Sequence, residues 1–254
     1  GRLKSVEGTM EFLGKMGRRA KPRKKPAEAH VPTGRNLAVN VKTAHKRSLS
    51  STLWLDRQLN DPYVAEAKKQ GWRSRAAFKL LQMDDKFHLL RRGMNIVDLG
   101  AAPGGWTQVA VDRVKPELGK GKIVGIDLLE MEPLEGSTLF VADFTEDATI
   151  ERLKREMDGP VDLVMSDMAA NTTGHAQTDH LRIMDLAEQA AIFAVDVLAP
   201  GGAFVCKIFQ GGSQKDTLEL LKKHFTTVRH TKPAASRADS AEAYVIATGF
   251  RKKK

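Results

Sequence analysis

The stretch NIVDLGAAPGGWTQVAV, residues 95–111, constrains the fold of this chain more than any other part of the sequence. An apolar strand runs into a cluster of glycines, and the glycines run into a segment with helical character. Such an arrangement brings backbone N–H groups against a ligand. The stretch therefore predicts a strand, a ligand-binding loop and a helix, in that order.

Strand-like and helix-like segments alternate from residue 51 onward. The strand candidates are NIVDLG, KIVGID, TLFVAD, VDLVMSD and GGAFVCKIF. The helical segments are SRAAFKLLQMDDKFHLL with Ser74 as its expected N-cap, DATIERLKREM, and a long segment expected to end at Pro200 and Gly201. This alternation is typical of a parallel, doubly wound α/β sheet. Two further strand-like runs, HFTTVRHTKP and EAYVIATGF, have no helix between them and predict an antiparallel pair at the end of the sheet.

The positive charge lies at the two ends of the chain. Residues 1–50 carry 13 Lys and Arg against 3 Asp and Glu, whereas residues 51–250 carry 24 against 28, and the last four residues are RKKK. A Pro-containing basic segment with few large apolar residues does not bury enough surface to fold alone. We therefore expect a disordered basic arm over 1–50, one domain over 51–250 and a basic tail over 251–254. The arm is either a solubilising or targeting tail or, as we favour, a segment that binds nucleic acid through its charge.

Several classes of protein are disfavoured. The one cysteine, Cys206, excludes an internal disulfide and a multi-cysteine metal site, and we expect it in the core. The seven histidines lack metal-binding spacing, so no metal is expected. The sequence has no apolar run long enough to span a membrane, and its basic start lacks the apolar region of a signal peptide. We expect a cytoplasmic protein that does not contact membranes.

Three aspartates surround the glycine loop and indicate its ligand. The loop, GAAPGG, fits neither the dinucleotide fingerprint nor a phosphate-binding P-loop. Asp98 precedes the loop, Asp127 ends the second strand and could bind both ribose hydroxyls, and Asp143 ends the third and could contact an adenine amino group. Each aspartate alone could equally cap a helix. Together they favour S-adenosylmethionine, whose sulfonium is stabilised by nearby carboxylates.

Five blocks of the sequence resemble one known family. SRAAFKL, VDLGAAPGGWTQ, DLVMSDMAAN, FVCKIFQG and SRADSAEAYVIATGF together resemble the FtsJ/RlmE family, the large-subunit ribosomal RNA methyltransferases E. The resemblance covers about residues 51–250. It implies a Rossmann-like methyltransferase fold: a seven-stranded, mostly parallel sheet with its last strand antiparallel and helices on both faces. One departure is Ala170, where many members have proline.

The resemblance also implies roles for individual residues. The family's catalytic Lys-Asp-Lys-Glu tetrad corresponds to Lys79, Asp167, Lys207 and Glu242. The implied cofactor contacts are Gly104, Trp106, Asp127, Asp143 and Asp167, although Trp106 could instead fix the following helix to the sheet.

The implied chemistry requires a base, because a ribose 2′-hydroxyl is a poor nucleophile at neutral pH. We assign this role to Lys207, whose pKa would have to be lowered by burial, by Lys79 and by the sulfonium. The carboxylates of Glu242 and Asp167 oppose that shift and are assigned positioning roles. Three arginines near the blocks, Arg73, Arg75 and Arg237, are interpreted as RNA phosphate contacts, with solvated surface as the alternative.

The function that the resemblance implies is 2′-O-methylation of a uridine in the A loop of 23S ribosomal RNA by S-adenosylmethionine. The expected partners are ribosomal RNA and the assembled 50S subunit, and the enzyme is expected to be a monomer. The alternatives are a 2′-O-methyltransferase of transfer RNA, an mRNA cap or another RNA, and a ribosome-assembly factor without catalysis. A dinucleotide-dependent oxidoreductase is disfavoured by the Ala-Ala-Pro of the glycine loop.

Overall fold

The computed structural model describes residues 30–32, 48–169, 175–211 and 214–252. Its first three helices are α1 (Leu49–Asn60), α2 (Pro62–Gln70) and α3 (Ala76–Phe87). The sequence pattern predicted α3, whereas α1 and α2 were not predicted. The start of α2 carries a recognisable local signal: the Asp61 carboxylate accepts a hydrogen bond from the Tyr63 N–H, and Pro62 occupies the first helical position.

Strands and helices alternate after α3 as predicted. In chain order they are β1 (Asn95–Leu99), α4 (Gly105–Val114), a 3₁₀ turn (Pro116–Leu118), β2 (Lys122–Asp127), β3 (Thr138–Val141), α5 (Asp147–Met157), β4 (Val161–Ser166), α6 (Ala176–Val197), β5 (Leu198–Phe209), α7 (Lys215–His224), β6 (Phe225–Thr231) and β7 (Glu242–Phe250).

The strands form one seven-stranded sheet in the order β3-β2-β1-β4-β5-β7-β6. The pairs among β1 to β5 are parallel, whereas β7 is antiparallel to both of its neighbours. This topology confirms the predicted α/β class and its single antiparallel strand. The strand order reverses between β1 and β4, and ligands of open α/β sheets bind at such a point, beyond the carboxyl ends of the strands.

Both faces of the central strands are buried, as a parallel sheet covered by helices requires. In β1, Val97 and Leu99 face the core beside α5 and α6, whereas Ile96 faces the core formed with α3 and α4. The sheet therefore separates two apolar layers. Polar groups of a functional site are then expected at the ends of the strands rather than on the faces of the sheet.

Two local predictions were wrong. Ser74 does not cap α3, since Arg75 occupies the N-cap position without a side-chain cap hydrogen bond. The Ser74 hydroxyl instead lies against Gly105, where a β-carbon would collide with it. The long helix ends at Val197, and Pro200 and Gly201 lie within the exposed start of β5, where the ladder with β4 is irregular.

The described part of the N-terminal segment contacts α3. His30 Nε2 lies 3.2 Å from the Asp85 carboxylate, and the His30 carbonyl accepts a hydrogen bond from Gln82 Nε2 at 3.2 Å. Most of the arm, together with Ala170 and the last two residues of the tail, lies outside the described residues. The predicted boundaries of arm and tail therefore stay predictions. No helix within the described ranges is long and apolar enough to cross a membrane.

Candidate active site

The predicted site residues come from elements that meet at one edge of the sheet. Asp127 is the last residue of β2, and Asp167 directly follows β4. Lys207 lies near the end of β5. Because β7 runs in the opposite direction, its first residue, Glu242, pairs with Phe209 at the end of β5. The start of an antiparallel strand thus reaches the edge at which the parallel strands end.

The glycine loop is fixed between the ends of β2 and β4. Gly100 has φ +75°, and a β-carbon there would lie 2.7 Å from the Met168 Cα. The Ala101 N–H donates to the Ile126 carbonyl at 2.9 Å. The Ala102 N–H donates to Asp127 Oδ2 at 3.0 Å. Asp127 therefore holds the loop in addition to facing the space beside it.

A cleft of about 420 Å³ opens beside this loop. Its lining residues are Gly100, Ile126, Asp127, Leu128, Ala142, Asp143, Phe144, Met168, Ala169 and Leu186. Both predicted strand-end carboxylates thus face one cleft whose other side chains are mainly apolar. Asp143 Oδ1 accepts hydrogen bonds from the N–H and the hydroxyl of Thr145, at 2.9 and 2.7 Å. A carboxylate has about four lone-pair positions, so both aspartates keep acceptor capacity for a ligand.

Gly104 and Trp106 stand at the start of α4. Gly104 is the N-cap, with φ +109°. The Trp106 side chain is buried away from the cleft: its indole N–H donates to the Ala76 carbonyl at 2.9 Å, and its ring lies 5.7 Å from that of Tyr244. The interpretation of Trp106 as a residue that fixes α4 fits its side chain better than a cofactor contact does. Its backbone N–H, in the first turn of the helix, has no intrahelical acceptor.

The two lysines and two carboxylates of the predicted tetrad form buried ion pairs. Lys79, on α3, places Nζ 2.6 Å from Glu242 Oε1. Lys207 Nζ lies 3.0 Å from Asp167 Oδ1 and 3.9 Å from Glu242 Oε2. It also donates to the Asp167 backbone carbonyl at 2.9 Å. The structure therefore brings all four residues together, next to Met168 and Ala169 of the cleft.

Tyr244 joins the two ion pairs and was missed by the sequence analysis. Its hydroxyl lies 2.7 Å from Asp167 Oδ1 and 3.2 Å from Glu242 Oε1, and it accepts from Lys79 Nζ at 3.2 Å. Residues two apart on a strand face the same side, so the spacing of Glu242 and Tyr244 within EAYV could have revealed it.

Comparison with known proteins identifies the family. The model of the FtsJ-like methyltransferase family matches residues 72–250. The chain belongs to this family. A relative from Paramagnetospirillum magneticum, named ribosomal RNA large subunit methyltransferase E, is 63% identical over 220 residues, which is 85% of this chain and 90% of the relative. A Rhodospirillum rubrum relative of the same name is 56% identical over 251 residues, covering 98% of this chain and 95% of the relative.

A solved structure agrees with this assignment. A Plasmodium falciparum protein assigned as a ribosomal RNA methyltransferase superposes with a TM-score of 0.62 at 29% identity, covering 70% of this chain and 98% of that one. The predicted family and the predicted fold are both confirmed, and the chain is a methyltransferase of the FtsJ-like family.

The ion pairs of this FtsJ-like enzyme determine the direction in which the pKa of Lys207 is shifted. Burial alone would lower the pKa of Lys207, but the carboxylates of Asp167 and Glu242 outweigh burial and hold that pKa above its ordinary value. Burial would raise the pKa of Asp167, but Lys207 and Lys79 hold it below its ordinary value. Burial and the two carboxylates raise the pKa of Tyr244 well above its usual range. In the absence of a cofactor charge, the balance of these charges therefore favours the ammonium form of Lys207, and the lowering that a base requires would have to come from the bound sulfonium.

Asp98 lies beneath the glycine loop as a fully buried carboxyl group. Its Oδ2 accepts a hydrogen bond from the Thr107 hydroxyl at 2.6 Å, and its Oδ1 has no hydrogen-bond partner among the described residues. Burial raises the pKa of Asp98 to about 7, the Thr107 hydrogen bond opposes the shift, and the charges of Asp167 and Asp127 add to it. Asp98 therefore ties β1 to the first turn of α4 and titrates near neutral pH.

Two of the three arginines interpreted as phosphate contacts are used within the protein. The Arg73 guanidinium donates to the carbonyls of Glu132 and Pro133, each at 2.7 Å. Arg75 pairs with Asp61 at 2.9 Å and donates to the Ala235 carbonyl at 2.6 Å. Their guanidinium groups hold loops of the protein, which leaves fewer donors for a phosphate. Arg237 is more exposed than Arg75, and its Nη2 lies 3.6 Å from Asp61 Oδ2.

The lone thiol is a core residue, as predicted. Cys206 is buried in β5, and burial raises its pKa to about 12, which keeps it as an inert thiol. Among the described residues, no cluster of three or more His, Cys, Asp or Glu side chains could hold a metal ion.

We expect replacement of Asp98 to change how stability depends on pH. Because the pKa of Asp98 is about 7 in the folded protein and 3.8 ordinarily, the folded state retains a proton that the unfolded state has released between these values. Stability from this group is therefore full below pH 3.8 and is lost as the pH rises towards 7. Asp98→Asn removes this loss, so its melting temperature should rise relative to that of the unmodified protein as the pH increases from about 5 to 8.

The measurement is thermal unfolding across that range. Asp112→Asn is the control, because Asp112 is an exposed carboxylate on α4, the helix that Asp98 contacts through Thr107. A difference in melting temperature between Asp98→Asn and the unmodified protein that stays constant with pH would contradict the assignment.

Proposed function

We propose that this chain transfers a methyl group from S-adenosylmethionine to a ribose 2′-oxygen of RNA. The observation that carries the proposal is the buried network of Lys79, Asp167, Lys207 and Glu242 beside the cleft, with the two short ion pairs at 2.6 and 3.0 Å. The network presents ammonium and carboxylate groups at one point, which suits the removal of a proton from a hydroxyl and its alignment for attack.

The substrate we propose is a uridine in the A loop of 23S ribosomal RNA, presented on the assembled 50S subunit. Two considerations support it: the resemblance of the sequence blocks, and the name ribosomal RNA large subunit methyltransferase E that the relatives carry. The expected monomeric state and cytoplasmic location remain predictions.

The cleft fits a nucleoside with a sulfonium substituent. Asp127 would accept hydrogen bonds from the ribose hydroxyls and Asp143 from an adenine amino group, while Ile126, Phe144 and Leu186 supply apolar contacts for the base. The first turn of α4, after Gly104, offers N–H groups for a carboxylate. When bound, S-adenosylmethionine supplies the methyl group and a positive sulfonium charge.

Lys207 is the proposed acceptor of the 2′-hydroxyl proton. The tetrad holds two ammonium and two carboxylate groups, so its charges balance and Lys207 keeps its proton. The positive sulfonium of a bound cofactor beside Asp167 would make the site cationic, and release of the Lys207 proton to solvent would then restore neutrality and leave an amine that can accept the 2′-hydroxyl proton. Glu242 and Lys79 hold the hydroxyl and Lys207 in position. In this mechanism the site becomes basic only when it is filled.

We expect Asp127→Ala to weaken cofactor binding by roughly 10- to 100-fold, since it removes both the ribose acceptor and the hydrogen bond to the Ala102 N–H. Isothermal calorimetry with S-adenosylmethionine measures the change. Asp112→Ala, a substitution of an exposed carboxylate outside the cleft, serves as the control. Unchanged affinity for Asp127→Ala would move the cofactor away from the end of β2.

We expect Lys207→Met to reduce single-turnover methylation of subunits by roughly 10²- to 10⁴-fold without loss of cofactor or RNA binding, because a general base acts in the transition state. With Lys207 as the base, the rate of the unmodified enzyme should also rise with pH, by up to about tenfold per pH unit, below the pKa of the base. Glu242→Gln should cause a smaller loss, and Lys79→Met an intermediate one.

Lys122→Met is the matched control for these lysine substitutions, because the Lys122 ammonium contacts the Glu156 carbonyl at the opposite end of β2. A rate that does not change with pH would show that Lys207 acts as a fixed cation rather than as the base. A loss in Glu242→Gln greater than that in Lys207→Met would likewise contradict the assignment.

We expect deletion of residues 1–29, which carry a net charge of +6, to weaken binding to ribosomal subunits and to flatten its salt dependence. Each lost phosphate contact should reduce the slope of log K against log salt by roughly 0.7 to 0.9. The deletion ends before His30, whose contacts with α3 are thus retained, so cofactor affinity and melting temperature should stay nearly unchanged. An unchanged salt slope would assign the RNA contacts to the domain itself.

A further inference from the structure

One oxygen of the Glu242 carboxylate is occupied within the protein, and this fixes the direction of the other. Oε1 accepts from Lys79 Nζ at 2.6 Å and from the Ser236 hydroxyl at 2.9 Å, and it lies 3.2 Å from the Tyr244 hydroxyl, whose single proton has a nearer acceptor in Asp167 Oδ1 at 2.7 Å. Oε2 faces Lys207, whose Nζ lies 3.9 Å away. The rotation of the carboxylate therefore decides which oxygen is presented beside the proposed base.

Ser236 differs from the other two groups at Oε1 because it contacts the tetrad at Glu242 alone. Lys79 and Tyr244 also contact each other, and Tyr244 reaches Asp167, so their removal would disturb the whole network. Ser236 is a neutral, buried residue on the loop between β6 and β7. Its hydroxyl donates a single hydrogen bond to a carboxylate, and hydrogen bonds to a charged partner are shorter and stronger than neutral ones.

The loop that carries Ser236 is held firmly against α3. The Ala235 N–H donates to Gln82 Oε1 at 2.8 Å, and the Ala235 carbonyl accepts from Arg75 Nη2 at 2.6 Å. The Ser236 N–H donates to the Pro233 carbonyl at 2.9 Å. Both polar backbone groups of the preceding residue are thus used, which fixes the position from which the hydroxyl reaches Glu242.

The loop that carries Ser236 links α2 and α3, which precede the alternating strands and helices, to the edge of the sheet where the tetrad lies. Asp61 begins α2 and forms an ion pair with Arg75, and Arg75 in turn holds Ala235. Gln82 lies on the same helix as Lys79, so α3 positions one donor to Glu242 directly and the other through the loop. Such support of a reacting group by buried neighbours is how active sites keep their geometry.

We propose that Ser236 is a positioning residue for methyl transfer: its hydroxyl orients the Glu242 carboxylate so that Oε2 faces Lys207 and the substrate hydroxyl. The inference rests on the proposed function, because it assigns Glu242 a part in aligning the 2′-hydroxyl. Ser236 does not touch the substrate and acts through Glu242.

The test is single-turnover methylation of subunits by Ser236→Ala. We expect the rate to fall roughly 10- to 100-fold, because a small misplacement of an aligning group has effects of this size. Cofactor affinity, subunit affinity and melting temperature should match those of Ser137→Ala, a control that deletes a partly buried loop hydroxyl bonded to the Leu134 carbonyl before β3. Ser236→Thr keeps the hydroxyl and should restore most of the rate.

A double substitution separates positioning from a general loss of structure. If Ser236 acts through Glu242, adding Ser236→Ala to Glu242→Ala should cause little further loss, because the alanine background has no carboxylate for the hydroxyl to orient. An equal loss in both backgrounds, or an unchanged rate in Ser236→Ala, would overturn the proposal. If instead the unmodified enzyme fails to methylate subunits while binding the cofactor, the proposed function fails, independently of the role of Ser236.

Discussion

The buried pairing of Lys79 with Glu242 and of Lys207 with Asp167 is the constraint on which the rest of the site depends. A single charge removed from water is strongly unfavourable, and even a paired one is tolerated only when its remaining hydrogen-bonding capacity is used. Tyr244 meets that need by contacting both carboxylates. The five groups come from α3, β5, β7 and the residue after β4, so these elements must meet with side-chain accuracy.

The cleft and the charge network are joined through the backbone as well as through side chains. The Asp167 N–H donates to the Leu99 carbonyl at 3.1 Å, and Gly100 packs directly on Met168. The end of β1 and the segment after β4 are therefore held against each other. In a reaction whose donor occupies the cleft and whose acceptor lies at the network, this contact sets the distance between the two, and such distances govern rates of transfer steeply.

Sequence patterns predicted what is local or repeats along the chain. The alternation of strands and helices and the glycine loop were predicted, as was the placement of Asp127 and Asp143 at one edge of the sheet, because each is a property of a short segment and the ends of parallel strands share one edge. The antiparallel β7 was also predicted. Its consequence was not: reversal of that strand brings Tyr244 opposite Lys207.

The sequence could not show what depends on contacts between distant segments. Arg73 and Arg75 were interpreted as RNA phosphate contacts, but each also donates to carbonyls of loops about 60 and 160 residues away along the chain. The indole of Trp106 similarly finds its acceptor on another helix. The direction of the pKa shift of Lys207 could not be predicted for the same reason, since it depends on how closely two carboxylates approach, and not on their presence.

The raised pKa of Lys207 is compatible with a role as base if binding and proton loss are coupled. A base that is already neutral in the empty network would leave Asp167 and Glu242 with one cation between them, and a buried excess of negative charge is unfavourable. The protonated network avoids this excess of negative charge. A positive charge in the cleft would instead favour the neutral form of Lys207. By reciprocity, whatever lowers the pKa of Lys207 on binding must favour binding when Lys207 is neutral by the same factor. The two ion pairs that hold the fold together at this edge would then also determine when the site becomes reactive.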